Sequence, residues 1–184
     1  LTYLIELLNS FSFRSIIWLI PIIMLLHELE EWNILEWYKK NYIDLPMSTK
    51  QSIRIWLLGI SFVGFIWTAI AYLIPNPAIA AFFIILFIAF TLQNGLQHLY
   101  WLLYFKTYSP GFVFSFLLGI PVNVYICYRI LEENLLPVWT IIVVNLFIIP
   151  GLVETVKAKN RMTKSIRGAH ELGIRIVSRL WEKD

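Results

Sequence analysis

The chain has 184 residues, 59% of them hydrophobic and only 15% charged, with a mean hydropathy of +0.70. Soluble domains carry roughly 25% charged residues, so the composition is that of a membrane protein. The net charge of +3 is small, and a single cysteine (Cys127) excludes an internal disulfide framework or a multi-cysteine metal site.

A membrane span needs about 20 mainly apolar residues. Five stretches qualify in chain order: Phe11 to Leu29, Ile53 to Ile74, Ala78 to Tyr104, Phe112 to Leu131 and Leu135 to Val156. The first follows a polar start containing Glu6 and Arg14 and lacks a small-residue cleavage site, which reads as a retained span rather than a signal peptide. Lys39, Lys40, Asp44, Pro46 and Lys50 mark the first loop, and Pro75-Asn76-Pro77 forces a tight helical hairpin. Ser109-Pro110-Gly111 and Glu132-Glu133-Asn134 supply the remaining breaks. Pro21 and Pro121 lie inside spans and predict kinks.

Of the 15 lysines and arginines, all but Arg14 and Arg129 fall on one side of this arrangement. The positive-inside rule then places the amino terminus outside and the carboxyl terminus in the cytoplasm. The expected fold is all-α, a polytopic bundle of about five transmembrane helices over residues 1–157, followed by a basic amphipathic helix over 158–184. In that tail Ile166, Ala169, Leu172, Ile176, Val177 and Leu180 recur at roughly helical spacing, which suits a helix lying on anionic lipid. Membrane lipid is the expected partner; the tail's charge calls for no nucleic acid, and His170 reads as a surface residue.

Polar groups within the spans need a reason, because ionisable side chains there are costly and tend to mark function. His27, Glu30 and Glu31 stand at i, i+3 and i+4 at the end of the first span and share a helix face. Glu28 points about a hundred degrees away and reads as an ordinary interfacial carboxylate. In the third span Asn94 and His98 share a face, with Gln93 and Gln97 beside them. At about 1.5 Å rise per residue, His27, His98 and Glu154 lie within roughly 6 Å of one depth, toward the cytoplasmic leaflet. That coincidence points to one shared site. Asn123 and Asn145 read as structural.

The run His27-Glu28-Leu29-Glu30-Glu31-Trp32 resembles the signature of the HXXEE domain family. The resemblance covers most of residues 15–157 and extends with less force to Asn94 and His98. It implies a small, multi-spanning and mostly bacterial membrane protein, hence an inner-membrane location, with no established reaction. Two imidazoles with two or three carboxylates suit zinc, iron or manganese. His27, Glu30 and His98 could hold a divalent metal, with Glu154 completing a carboxylate-rich pair. Glu31 would act as base and Asn94 would orient a ligand or stabilise an oxyanion. The substrate suggested by this depth is lipid-like or otherwise apolar, and hydrolysis is one reaction such a site could run. Two other readings are a metal-free acid–base enzyme and a small proton-coupled carrier, and a scaffold whose polar groups lock helices together is a third.

Overall fold

The computed structural model describes residues 9–181, and among these it is all-helical, with no strand. Helices α1 (Phe13–Ile16), α2 (Leu19–Glu30) and α3 (Leu35–Asn41) are short. Helices α4 (Lys50–Leu73) and α5 (Pro77–Phe105) form the hairpin. A π-helical segment (Val113–Leu118) runs into α6 (Gly119–Glu132). Helices α7 (Val138–Leu146), α8 (Ile148–Ala158) and α9 (Lys164–Trp181) follow.

Among the described residues four stretches are long and apolar enough to cross a membrane: Lys50–Leu73, Pro77–Phe105, Val113–Glu132 and Val138–Ala158. They match four of the five expected spans within a few residues. The first apolar stretch is not one long helix. It breaks at Ile17-Trp18, and α2 has 12 residues, about 18 Å at 1.5 Å per residue. Pro21 explains this locally, because it sits in the first turn of α2, where a missing N–H costs nothing. Pro121 likewise lies in the first turn of α6, just past the widened π-helical turns. Both prolines thus sit at interruptions of regular α-helix within their apolar stretches, where the sequence places kinks.

Burial explains why the first stretch can be short. Ile16, Ile17, Ile20 and Met24 are buried against Ile84, Ile85 and Ile88 of α5 and Ile126 and Ile130 of α6. This stretch buries one face in the bundle and turns Ile22, Leu26 and Leu29 outward, while α4 carries an apolar stripe outward at Leu58, Phe62, Ile66 and Ile70. An exposed apolar surface of that extent belongs against lipid. A second apolar cluster lies at the other end, made by Ile34, Leu35, Tyr38, Tyr42, Ile53, Leu57, Trp101 and Met162. His27 to Glu31 on one helix and His98 on another fall at the seam between the two clusters.

Helix α9 docks on the protein with its inner face. Gly173 meets α4 so closely that a Cβ there would lie 2.2 Å from the Ser52 carbonyl oxygen. Arg167 pairs with Asp44 at 2.6 Å, and Glu154 accepts from the Lys164 N–H at the start of α9. His170 corrects the sequence reading: it is fully buried, bonds the Ser48 hydroxyl at 2.7 Å and packs on the rings of Tyr38 and Trp56. Loop one folds back over the tail, and the sequence pattern of α9 gave no sign of that. Leu172 and Leu180 still face outward beside Arg175 and Arg179.

Burial, assisted by the Arg167 charge, lowers the His170 pKa from 6.5 to about 4. Undocked, the imidazole takes up a proton near pH 6.5; docked, it resists until about pH 4. Docking of α9 is therefore complete above pH 6.5 and weakens as the pH falls toward 4. Limited proteolysis of α9 between pH 7.5 and 4.5 should show rising cleavage, and His170→Gln should flatten that dependence.

Candidate metal centre

The site begins with the helical repeat of α2. His27, Glu28 and Glu31 project into the bundle and are 2%, 2% and 3% exposed, while His98 of α5 is 2% exposed. The turn after Glu31 is clamped by Arg54 of α4, which donates to the Trp32 carbonyl and Asn33 Oδ1 and lies 4.8 Å over the Trp32 ring.

His27 Nδ1 lies 3.0 Å from the Gly111 carbonyl oxygen. That oxygen can only accept, so Nδ1 carries the proton and Nε2 offers its lone pair. Asn94 Nδ2 donates to Nε2 at 3.2 Å. His98 places Nδ1 3.0 Å from the Ser109 hydroxyl and Nε2 3.2 Å from Glu31 Oε1. The last pair is close but not aligned as a hydrogen bond, and Glu31 Oε1 is left without a donor. The imidazoles meet edge to face at 4.8 Å between centroids. Glu28 Oε1 is 3.8 Å from His27 Nε2, and its Oε2 is buried without a partner.

One donor atom each from His27, Glu31 and His98 lies within 4.8 Å of the other two. Tetrahedral zinc with bonds of 2.0–2.1 Å separates its ligand atoms by roughly 3.3 Å, so the His98–Glu31 edge already fits. Each imidazole is oriented through its other nitrogen, by Gly111 and by Ser109, as metal-bound histidines usually are. An orphaned carboxylate oxygen facing two oriented imidazoles in a buried pocket fits a divalent cation.

The other expected residues fall elsewhere. Glu30 turns away from the pocket: its carboxylate accepts from the Tyr108 hydroxyl and from the N–H groups of Val113 and Phe114. It caps the start of the π-helical segment and so holds the loop that carries Gly111. Glu154 is exposed and engaged at the start of α9. Asn123 donates to Thr91, and Asn145 to its own helix at Ile141. Glu28 was missed by sequence reasoning: read as interfacial, it is buried beside His27, because α2 is surrounded on more than one side. Gly111 was read only as a break. It has φ +92, and a Cβ there would lie 2.4 Å from His27 Cε1 and 2.8 Å from His98 Cε1.

Beside the donors lies a cavity of about 180 Å³, walled by Glu28, Glu31, Gln93, Asn94, Gln97, His98, Trp56 and Trp101 and closed on one side by Ser165, Ile166 and Ala169 of α9. An apolar crevice of about 320 Å³ between α2, α4 and α5 shares Ile60 and Phe90 with it and includes the exposed Val63.

Gly111→Ala should separate the two imidazoles and lower the unfolding temperature, by a left-handed-backbone cost of roughly 1–2 kcal/mol plus the clash. Glu30→Gln should cost on the order of 1.5–3 kcal/mol, the worth of hydrogen bonds to a charged group, while leaving the three donors in place. Thermal unfolding in detergent reads both.

The family model described as a protein of unknown function with an HXXEE motif matches residues 18–126, which hold every donor named above. No curated protein and no solved structure matches the chain.

Proposed function

We propose that this chain, which belongs to the HXXEE family of unknown function, is a metal-dependent integral membrane enzyme acting on a lipid-like substrate. The observation that carries the reading is the buried His27, Glu31 and His98 group with an orphaned Glu31 oxygen. A divalent zinc, iron or manganese ion held there would supply a Lewis acid and lower the pKa of water in its open position. Relative to the sequence reading, the carboxylates exchange roles. Glu31 is a ligand, and Glu28, whose Oε2 is free beside His27, is the general base. Asn94 faces the same cavity and orients the reacting oxygen. Hydrolysis is the reaction class that these roles serve most directly.

The apolar crevice supports a substrate delivered from the bilayer, since its shared wall of Ile60 and Phe90 places an acyl chain beside the polar cavity. A carrier needs a polar track across the membrane. Here the polar side chains lead from His27 through Asn94 and Thr91 to Asn123, where Ile84, Ile126 and Ile130 close the core. That favours enzyme over carrier.

The full topology we propose has five crossings, amino terminus outside and α9 at the cytoplasmic face, in a bacterial inner membrane. Arg14 donates to the carbonyls of Ile74 and Pro75 at the α4–α5 hairpin, whereas Glu30 meets Tyr108 just past the far end of α5. Residues 13–30 therefore run nearly the height of the bundle. The outward Leu172 and Leu180, flanked by Arg175 and Arg179, suit contact with anionic lipid.

Purified protein should contain near-stoichiometric metal, and His27→Ala, His98→Ala and Glu31→Ala should lose it while staying folded. Ser109→Ala, which removes the partner of His98 Nδ1, should weaken metal binding about 10–100-fold. Glu28→Gln should keep the metal but lose about 10²–10⁴-fold in turnover. Metal-free wild type that had never met a chelator would overturn the reading.

A further inference from the structure

The polar cavity beside the donors says more about the substrate than its location does. Its charged or titratable lining consists of Glu28, Glu31, His98 and Tyr38, and neither a lysine nor an arginine contributes to it. Two of the cations at this end of the bundle are engaged elsewhere. Arg54 holds Trp32 and Asn33, and Arg167 holds Asp44. The start of α9, the nearest helix terminus able to attract an anion, already carries the Glu154 carboxylate. In the metal-free protein a phosphate or carboxylate entering this cavity would meet two buried acidic side chains and no basic one, an expensive arrangement in a medium of low dielectric.

Two unpartnered groups set what the cavity does favour. Glu28 is 2% exposed and its Oε2 lacks a donor, while the buried Trp56 ring N–H lacks an acceptor. Both residues belong to the wall, and the remaining polar surface comes mainly from the neutral amides of Gln93, Asn94 and Gln97. A head group that both donates and accepts satisfies them. A dianionic phosphate only accepts.

Resting on the metal-enzyme reading above, we infer that the cavity takes the uncharged head of an amphiphile, bearing hydroxyl or amide groups on an ester or amide of a single acyl chain, and rejects phosphorylated and carboxylate heads. The chain occupies the crevice at Val63 and Phe87. If the reaction is hydrolysis, water adds to the acyl carbonyl, the bond to the leaving oxygen or nitrogen breaks, and Glu28 passes the water's proton to that leaving atom. The products are a fatty acid and an alcohol or amine.

The test uses the full chain in phosphatidylcholine nanodiscs, chelated or zinc-loaded, with dodecanoyl glycerol and dodecyl phosphate as probes. Ligand binding is read as a concentration-dependent rise in unfolding temperature. Dodecanoyl glycerol should act at a concentration at least tenfold below dodecyl phosphate in chelated protein. Val63→Trp, which fills the crevice from its lipid side, should abolish that response, and Glu28→Gln should narrow the gap to dodecyl phosphate. Equal or stronger binding of the phosphate by chelated wild type would overturn the inference, as would an unchanged response in Val63→Trp. Zinc that binds while head-group preference is absent sinks this inference alone. Preference for the glyceride in a protein that never takes up zinc, iron or manganese sinks the metal reading alone.

Discussion

Glu30 accepts hydrogen bonds from the N–H groups of Val113 and Phe114, and through them it fixes the loop that precedes the π-helical segment. Those N–H groups open a helix and have no partner within it, so a carboxylate there satisfies donors that the membrane environment cannot. From this tie the rest follows. The loop delivers the Gly111 carbonyl to His27 and the Ser109 hydroxyl to His98, which sets the direction of both imidazoles. Ser115 reinforces the arrangement by donating to the same Gly111 oxygen at 2.6 Å. Glu30 is thus a positioning residue for a pocket that it does not enter.

The three acidic residues of the motif divide the work by angle around one helix. Glu30 reaches the loop, Glu31 reaches His98, and Glu28 stays beside His27 with one oxygen free. Two buried carboxyl groups beside two imidazoles ionise together only at a cost in a low-dielectric seam, and a divalent cation held there would offset it. Second-sphere bonds that turn both Nε2 atoms toward that seam point the same way.

Where the cavity lies also has a structural cause. The bundle has two apolar clusters, one among the spans and one under α9 and loop one, and the polar groups occupy the seam between them. Helix α9 closes the cavity from one side with Ile166 and Ala169, and the apolar crevice at Val63 lies beside it across the shared Ile60 and Phe90.

Much of this was legible in the sequence, because hydropathy over 20-residue windows and the i, i+3, i+4 repeat are local properties of a helix. They sufficed for four of the spans, for the amphipathic tail helix, and for His27, Glu31, Asn94 and His98 as neighbours at one depth. What they could not decide was which way a side chain turns once its helix is surrounded. Glu28 and His170 were read as surface because each lies off the face that its own periodicity picked out, yet loop one and α9 bury both. Glu30 shares a face with His27 but finds unpaired N–H groups closer than the pocket. Glu154 lies exposed on the outside of the bundle, where α9 begins. Depth and helical face are written in the chain, whereas the choice among competing partners depends on which distant segments pack alongside, and only the tertiary structure makes that choice.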